Sequence, residues 1–289
     1  MRFLRALFLL LGAALAAVGW LTACSREGPY ARKNGVWHFE GRMVEGADAA
    51  SFEPLNEVFA RDRQRGYFRG LAIEGSEGAS FQALGPHDAR DRSRVWHAET
   101  YRKGQEYWAI RHVRVFAIEG ADPASYRVLA DDYSADHRRA YFEGRPFPVR
   151  DAGSFSVLAG GFTRDRERGY YDRIEIAGSD GATLAMLDDR DASHARDQRR
   201  AYHGHIEINV PGKPAHPVVR VIEGAEVARL RALGRGYASD GRGVWFQGQP
   251  VKGSQAESFQ VLEIGPTPED EADAQDAQGR FRQGRRIGG

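Results

Sequence analysis

The ten-residue stretch RDRQRGYFRG at residues 61–70 occurs again, little changed, as RDRERGYYDR at residues 164–173. The residues around it keep a fixed spacing: an aromatic residue, an aspartate, two glycines, a phenylalanine and a leucine. In one copy these are Phe59, Asp62, Gly70, Gly75, Phe81 and Leu84. Because the same spacing returns about every 29 residues, the chain is predicted to be a repeat protein, in which no unit buries its apolar face alone.

The spacing divides most of the chain into seven units over residues 30–265, followed by an acidic linker at 266–272 and a partial eighth unit at 273–289. The third and sixth units are longer than the others. Their extra residues, 16 and 14 in number, fall at the same point, between Glu99 and Gly120 and between His205 and Gly224. Both insertions are therefore expected at the tip of a hairpin.

Tyr67, Leu71 and Ile73 are separated by even numbers of residues, and apolar residues at such spacing predict a β-strand with one apolar face. The preceding Asp62 to Gly66 has the residues of a tight turn. The predicted fold is all-β: tandem β-hairpins of about 29 residues, two strands to a unit, in an open twisted meander or solenoid. A closed, propeller-like ring is the alternative, although two such units would exceed the roughly 40–45 residues of a usual four-stranded blade.

The aspartate turn, the paired aromatic residues and the later Gly-Ala-Asp-x-x-Ser-Phe-x-x-Leu segment resemble the DKNYY repeat family of bacterial exported proteins. The resemblance covers residues 30–289. Asp-Arg-x-x-x-Tyr stands where the family has Asp-Lys-Asn-x-Tyr-Tyr, and Lys33 replaces the aspartate of the first unit. The resemblance implies an exported β-repeat protein and no particular reaction.

Residues 1–23 have the features of a signal peptide, with a basic start and an apolar run too short for a comfortable membrane span. Leu21 to Cys24 resembles the lipobox of bacterial lipoproteins, which implies lipidation of Cys24 and a tether at residues 24–29. Ser25 follows in place of the aspartate that signals inner-membrane retention. The expected location is the outer membrane facing the periplasm, with the inner membrane as the alternative.

Cys24 is the only cysteine, so the mature domain has no internal disulfide and no thiol nucleophile. A net charge of +1 gives no electrostatic reason to expect nucleic acid as a partner. There is no Gly-x-Ser-x-Gly or phosphate-binding glycine loop. The chain is predicted to bind no cofactor and to catalyse no reaction.

Two sets of residues have the composition of metal ligands. The repeated aspartates are single acids within turns, so each is expected to bond its own turn, and only residues 188–191 are acidic enough to suggest calcium. His203 and His205 fall on one face of a strand and, with His194 or His216, have the side chains of a zinc site. The prediction is no metal, with these histidines on exposed strands.

The insertions are the expected binding face, because additions on one edge of a repeat array commonly carry specificity. Candidate binding residues are Tyr101, Tyr107, Trp108, His112, His203, His205 and His216. The paired aromatics of each unit are expected to stabilise the sheet by cross-strand packing, with one ring of each pair in the core; an exposed ladder formed by the other rings is the alternative. The predicted function is a lipid-anchored, non-catalytic binding module for an envelope protein or glycan; the alternatives are an envelope hydrolase and a passive spacer.

Overall fold

The computed structural model describes residues 28–108, 110–188, 191–208, 211–212, 214–263 and 272–287. These residues form eight small antiparallel sheets, arranged one after another along the chain. No sheet closes into a barrel, and no strand of the last sheet pairs with the first within these ranges. The predicted all-β array of tandem hairpins is thereby confirmed. No helix in the described part of the chain is long and apolar enough to cross a membrane.

The first four sheets come from the N-terminal half of the described chain, and each is a simple meander in sequence order. Their strands are β1 (Tyr30–Lys33), β2 (Val36–Phe39) and β3 (Arg42–Met43) in sheet 1; β4 (Glu53–Pro54), β5 (Phe59–Arg61), β6 (Gly66–Phe68) and β7 (Leu71–Ala72) in sheet 2; β8 (Gln82–Ala83), β9 (Asp88–Arg90), β10 (Val95–Tyr101) and β11 (His112–Ala117) in sheet 3; and β12 (Arg127–Val128), β13 (Tyr133–Ala135), β14 (Ala140–Phe142) and β15 (Arg145–Phe147) in sheet 4.

The remaining four sheets repeat the same order. Their strands are β16 (Ser156–Ala159), β17 (Phe162–Arg164), β18 (Gly169–Tyr171) and β19 (Ile174–Glu175) in sheet 5; β20 (Ala185–Met186), β21 (His194–Arg196), β22 (Ala201–Glu207) and β23 (His216–Val221) in sheet 6; β24 (Arg231–Gly234), β25 (Tyr237–Ser239), β26 (Val244–Phe246) and β27 (Gln249–Pro250) in sheet 7; and β28 (Gln260–Val261), β29 (Ala274–Asp276), β30 (Gly279–Arg282) and β31 (Arg285–Ile287) in sheet 8. Single-turn 3-10 helices lie at Gly78–Ser80, Gly104–Glu106, Ala152–Ser154 and Ala256–Ser258.

Most units contribute to a four-stranded sheet, so the prediction of two strands to a unit is wrong. The missed element is a second tight turn, as at Arg69-Gly70, where both residues have positive φ, +51° and +77°. Two consecutive residues with positive φ make the type I′ turn that favours a two-residue hairpin. That turn folds Leu71–Ala72 back onto Gly66–Phe68. A four-stranded sheet therefore needs one unit and not two. The argument that two units are too long for a propeller blade is wrong for this reason. The array is nevertheless open, as predicted.

Each aspartate turn is held by one buried carboxylate, as the sequence predicted. Asp165 accepts hydrogen bonds at Oδ1 from the backbone N–H groups of Glu167 and Arg168, both at 2.7 Å. Its Oδ2 accepts a hydrogen bond from the Tyr170 hydroxyl at 2.5 Å and from the backbone N–H of Asp151 at 2.9 Å. One side chain thus ties together the turn, the following tyrosine and the preceding connection between sheets.

In the aromatic pairs of the regular units one ring is buried and the other is buried, as in Phe68, or half-buried, as in Phe142 and Phe246, so the pairs pack between sheets and form no exposed ladder of rings. Tyr67 packs with Tyr30 and Phe39 of the preceding unit. Its neighbour Phe68 points to the other face and packs with Trp96 and Ala98. Since each internal sheet is covered on both faces by its neighbours in the array, alternation no longer separates a core face from a solvent face.

Arginine side chains also join successive units, a role that the sequence alone did not indicate. The guanidinium of Arg61 donates to the carbonyl oxygen of Phe81 at 3.1 Å, in the connection that leads to the next sheet. Arg90 reaches Pro123 in the same way at 2.7 Å, and Arg164 reaches Leu184 at 2.8 Å. These bonds satisfy carbonyl groups in segments that lack a β-ladder.

The turn carboxylates predict loss of stability in acid. Burial alone would raise the pKa of Asp165, but hydrogen bonds from Tyr170 and from backbone N–H groups hold it below its usual 3.8. The pKa is lowered in the same way in Asp62, Asp91, Asp136, Asp197, Asp240 and Asp276.

Because the folded pKa lies below the unfolded value, this stabilisation is complete above the unfolded pKa and is lost as pH falls through the folded pKa. Urea unfolding midpoints should be steady from about pH 7 to 5 and drop steeply from about pH 4 to 2. The Asp165→Asn variant should show a shallower drop. A midpoint that stays constant down to pH 3 would contradict this assignment.

Candidate functional site

The regular units use their conserved spacing to build the fold, so the candidate site lies where the pattern changes. In units three and six the type I′ turn is replaced by a long two-stranded extension. The first long hairpin consists of residues 95–117, and β10 and β11 pair from Trp96–Ala117 out to Tyr101–His112. The second long hairpin consists of residues 201–221, and β22 and β23 pair from Tyr202–Val221 out to Glu207–His216. Both insertions form the predicted hairpin extensions.

The tip of the first long hairpin gathers four of the predicted binding residues. Tyr101 stacks on His112, with ring centroids 5.2 Å apart. Tyr107 and Trp108 meet edge to face, at a centroid distance of 5.1 Å. Trp108 is 87% exposed, the most exposed of the large apolar side chains among the described residues. A group of rings therefore projects into solvent from a protein whose other tryptophans in the described residues pack into the sheets.

A cleft lies beside these rings, with a volume of about 540 Å³. We call it the tip cleft. It is lined by Thr100, Tyr101, Arg102, Tyr107 and Arg111. Three cationic side chains and one carboxylate between residues 100 and 111 give this segment a local charge of +2. The tip cleft thus combines aromatic faces with guanidinium donors, which suits a partner that carries rings or apolar faces together with acidic groups.

Internal contacts hold the tip cleft in shape. The Arg102 guanidinium donates to the carbonyl oxygen of Tyr107 at 3.1 Å and lies 6.0 Å from the centre of its ring. The Nε2 atom of His112 lies 3.3 Å from a carboxylate oxygen of Glu106. A second depression, of about 360 Å³, lies in unit four against Arg138 and Phe147. It belongs to a unit without an insertion, and we therefore centre the site on the tip cleft.

Below the first long hairpin, a buried polar pair replaces the aromatic pair of the regular units. Asp88 lies opposite His97, where other units have Tyr30 opposite Phe39 or Phe59 opposite Phe68. The Nδ1 atom of His97 is 2.8 Å from an Asp88 carboxylate oxygen, and both side chains are buried. Sequence reasoning missed this pair, although an aspartate at the first aromatic position of unit three was a visible departure from the repeat.

The sixth unit carries the corresponding exception, a cluster of three histidines. His194 lies opposite His203, with ring centroids 4.8 Å apart, and His205 follows at 5.2 Å from His203. His203 is only 2% exposed, so its expected exposure on the strand surface is wrong. Burial, followed by the neighbouring His194 and His205, lowers the pKa of His203 to about 3, and the ring is neutral at physiological pH.

The structure therefore divides the predicted binding set in two. Tyr101, Tyr107, Trp108 and His112 meet at one tip, whereas His203 and His205 lie with His194 at the base of the second long hairpin. His216 lies further out along that hairpin, 3.3 Å from Glu207.

Within the described residues, no three His, Cys, Asp or Glu side chains are placed to hold a metal ion as they stand. Two residues of the proposed calcium segment, Asp189 and Arg190, lie outside the described residues, and so does the lipidation candidate Cys24.

The fold and the exceptional units together define a β-hairpin repeat protein in which two units carry a long hairpin. The sequence profile of the DKNYY family matches residues 30–174 and 117–281, which overlap and span most of the chain. The chain belongs to the DKNYY family. No curated protein and no solved structure matches it.

Proposed function

We propose that this protein is a non-catalytic binding module of the bacterial cell envelope, which captures an envelope protein or glycan with the tip of its first long hairpin. The observation that carries the proposal is the exposure of Trp108, 87%, beside Tyr107 and the tip cleft. Exposed tryptophan and tyrosine next to arginine are the residues that most often dominate binding energy in protein interfaces.

The position of the tip cleft supports the same function. In the regular units the aromatic residues pack in the core. The insertion of unit three adds Tyr107 and Trp108, which lie outside that core. Tyr101 and Tyr107 offer flat faces for stacking, while Arg102 and Arg111 offer donors for carboxylate or phosphate groups. A partner with acidic groups beside apolar or ring faces would complement this surface.

Membrane attachment is the second part of the proposal. The segment from the basic start to Cys24 supports export and lipidation at that cysteine. Stable attachment needs more than one acyl chain, which the multiple acylation of bacterial lipoproteins would supply. We expect Cys24→Ser to lose incorporation of labelled palmitate and to leave the membrane fraction. Continued labelling of that variant would overturn the anchor.

The binding proposal is tested by crosslinking the tagged full-length protein in cell envelopes and identifying captured molecules by mass spectrometry. We expect the Tyr107→Ser/Trp108→Ser variant to lose capture of its main partner about tenfold or more, the effect of removing an interface anchor. The matched control is Leu71→Ser/Ile174→Ser, which removes apolar side chains 55% and 51% exposed from regular units. Equal capture by all three proteins would overturn the proposal and favour a passive spacer.

A further inference from the structure

The second exceptional place in the molecule is the histidine cluster of unit six, which the proposed function does not use. Nε2 of His194 and Nδ1 of His203 and His205 are buried and have no hydrogen-bond partner within the protein. Buried polar atoms in folded proteins are nearly always paired, and an exception calls for an explanation such as a bound ion. Here three unpaired imidazole nitrogens occur on adjacent strands.

The strand positions of the three histidines are ones from which imidazole ligands can reach a common ion on one face of a sheet. His203 and His205 are two positions apart on β22, so both rings emerge on one face, and His194 is the direct cross-strand neighbour of His203. Two imidazoles on one tetrahedral zinc, with Zn–N distances of about 2.0–2.1 Å, place their ring centroids about 5 Å apart. The observed separations are 4.8 Å for His194–His203 and 5.2 Å for His203–His205.

Asp191 adds a feature that metal-binding histidines usually have. Its carboxylate lies 3.2 Å from Nδ1 of His194, which leaves Nε2 as the free donor atom of that ring. A carboxylate behind a histidine fixes the tautomer and makes the ring a better ligand. In regular units the places of His194 and His203 hold aromatic residues such as Phe162 and Tyr171, and packing alone therefore gives no reason for histidine.

We propose that His194, His203 and His205 bind a divalent transition-metal ion such as Zn²⁺. His203 lies between the other two rings, which do not converge on one point in the present side-chain arrangement. Metal binding would therefore turn the rings of His194 and His205 towards Nδ1 of His203. His205 is partly exposed, whereas His194 and His203 are buried, so His205 is the ring of the cluster that solvent reaches.

The test is a calorimetric titration of Zn²⁺ into detergent-solubilised full-length protein that has been treated with chelator. We expect saturation at one ion per chain. His203→Phe should weaken the affinity about 100-fold or more, since loss of a ligand exceeds the 10–100-fold effect of losing an outer-shell partner. This substitution restores the phenylalanine found at Phe68 and Phe142, so the variant is expected to fold, which a thermal melt checks.

The matched control is His38→Ala, which removes a histidine outside the cluster and should leave Zn²⁺ affinity unchanged. Co²⁺ gives a second readout, because its visible absorption reports tetrahedral nitrogen coordination, and the spectrum should be lost in His203→Phe. No saturable Zn²⁺ binding by the wild-type protein would overturn the proposal, and so would equal affinity in His203→Phe. Neither outcome bears on partner capture by the tip cleft.

Discussion

Replacing Asp165 with alanine should lower the free energy of unfolding by about 3–5 kcal/mol, the range expected when a buried charged acceptor with several donors is removed. Asp165 is 2% exposed and accepts hydrogen bonds from the backbone N–H groups of Glu167, Arg168, Arg150 and Asp151 and from the Tyr170 hydroxyl. Alanine would leave these donors without the carboxylate, and the Tyr170 side chain, which is fully buried, would lose the partner of its hydroxyl. Urea unfolding of purified protein, followed by circular dichroism, measures the change.

Two comparisons separate this effect from a general loss of charge. Asp165→Asn keeps one acceptor oxygen and should destabilise the protein less than alanine does. Glu45→Ala removes an exposed carboxylate in the first unit and should change the unfolding free energy by no more than about 0.5 kcal/mol, as is usual for surface substitutions. If Asp165→Ala and Glu45→Ala had similar unfolding free energies, the Asp165 carboxylate would not be what stabilises its turn.

The buried pair of unit three yields the second large prediction. Asp88→Ala should cost about 3–5 kcal/mol of stability, because it leaves His97 buried beside an empty space without its polar partner. The double variant Asp88→Tyr/His97→Phe should instead come within about 1 kcal/mol of the wild type or exceed it, since well-packed apolar residues often replace a buried polar pair without loss. Urea unfolding of the two variants checks both expectations.

The regular units provide the reason to expect recovery. Tyr30–Phe39, Tyr133–Phe142 and Tyr237–Phe246 occupy the same pair of positions, and each packs within the core. Gly144 lies against His97 as Gly70 lies against Phe39, so the neighbouring unit leaves the same space in both places. A double variant as unstable as Asp88→Ala would show that unit three is not interchangeable with a regular unit at this pair.

The candidate site was predictable to the extent that it depends on spacing. Insertions between two fixed glycine positions located both long hairpins, and the aromatic residues of the first insertion do lie together at one tip. The pairing of Asp88 with His97 and the burial of His203 were not predicted. Strand alternation assigns residues to faces, but it cannot tell whether a neighbouring sheet covers the second face.

The sequence by itself determined the repeat, the all-β class and the carboxylate turns, because period, turn chemistry and strand alternation are local properties of the chain. Only the tertiary structure decided that a regular unit folds into four strands, that both rings of an aromatic pair pack between sheets, and that arginines join successive units. These features depend on the packing of one sheet against the next. Close contact on both faces removes solvent from positions such as His203, whatever their place in the local pattern.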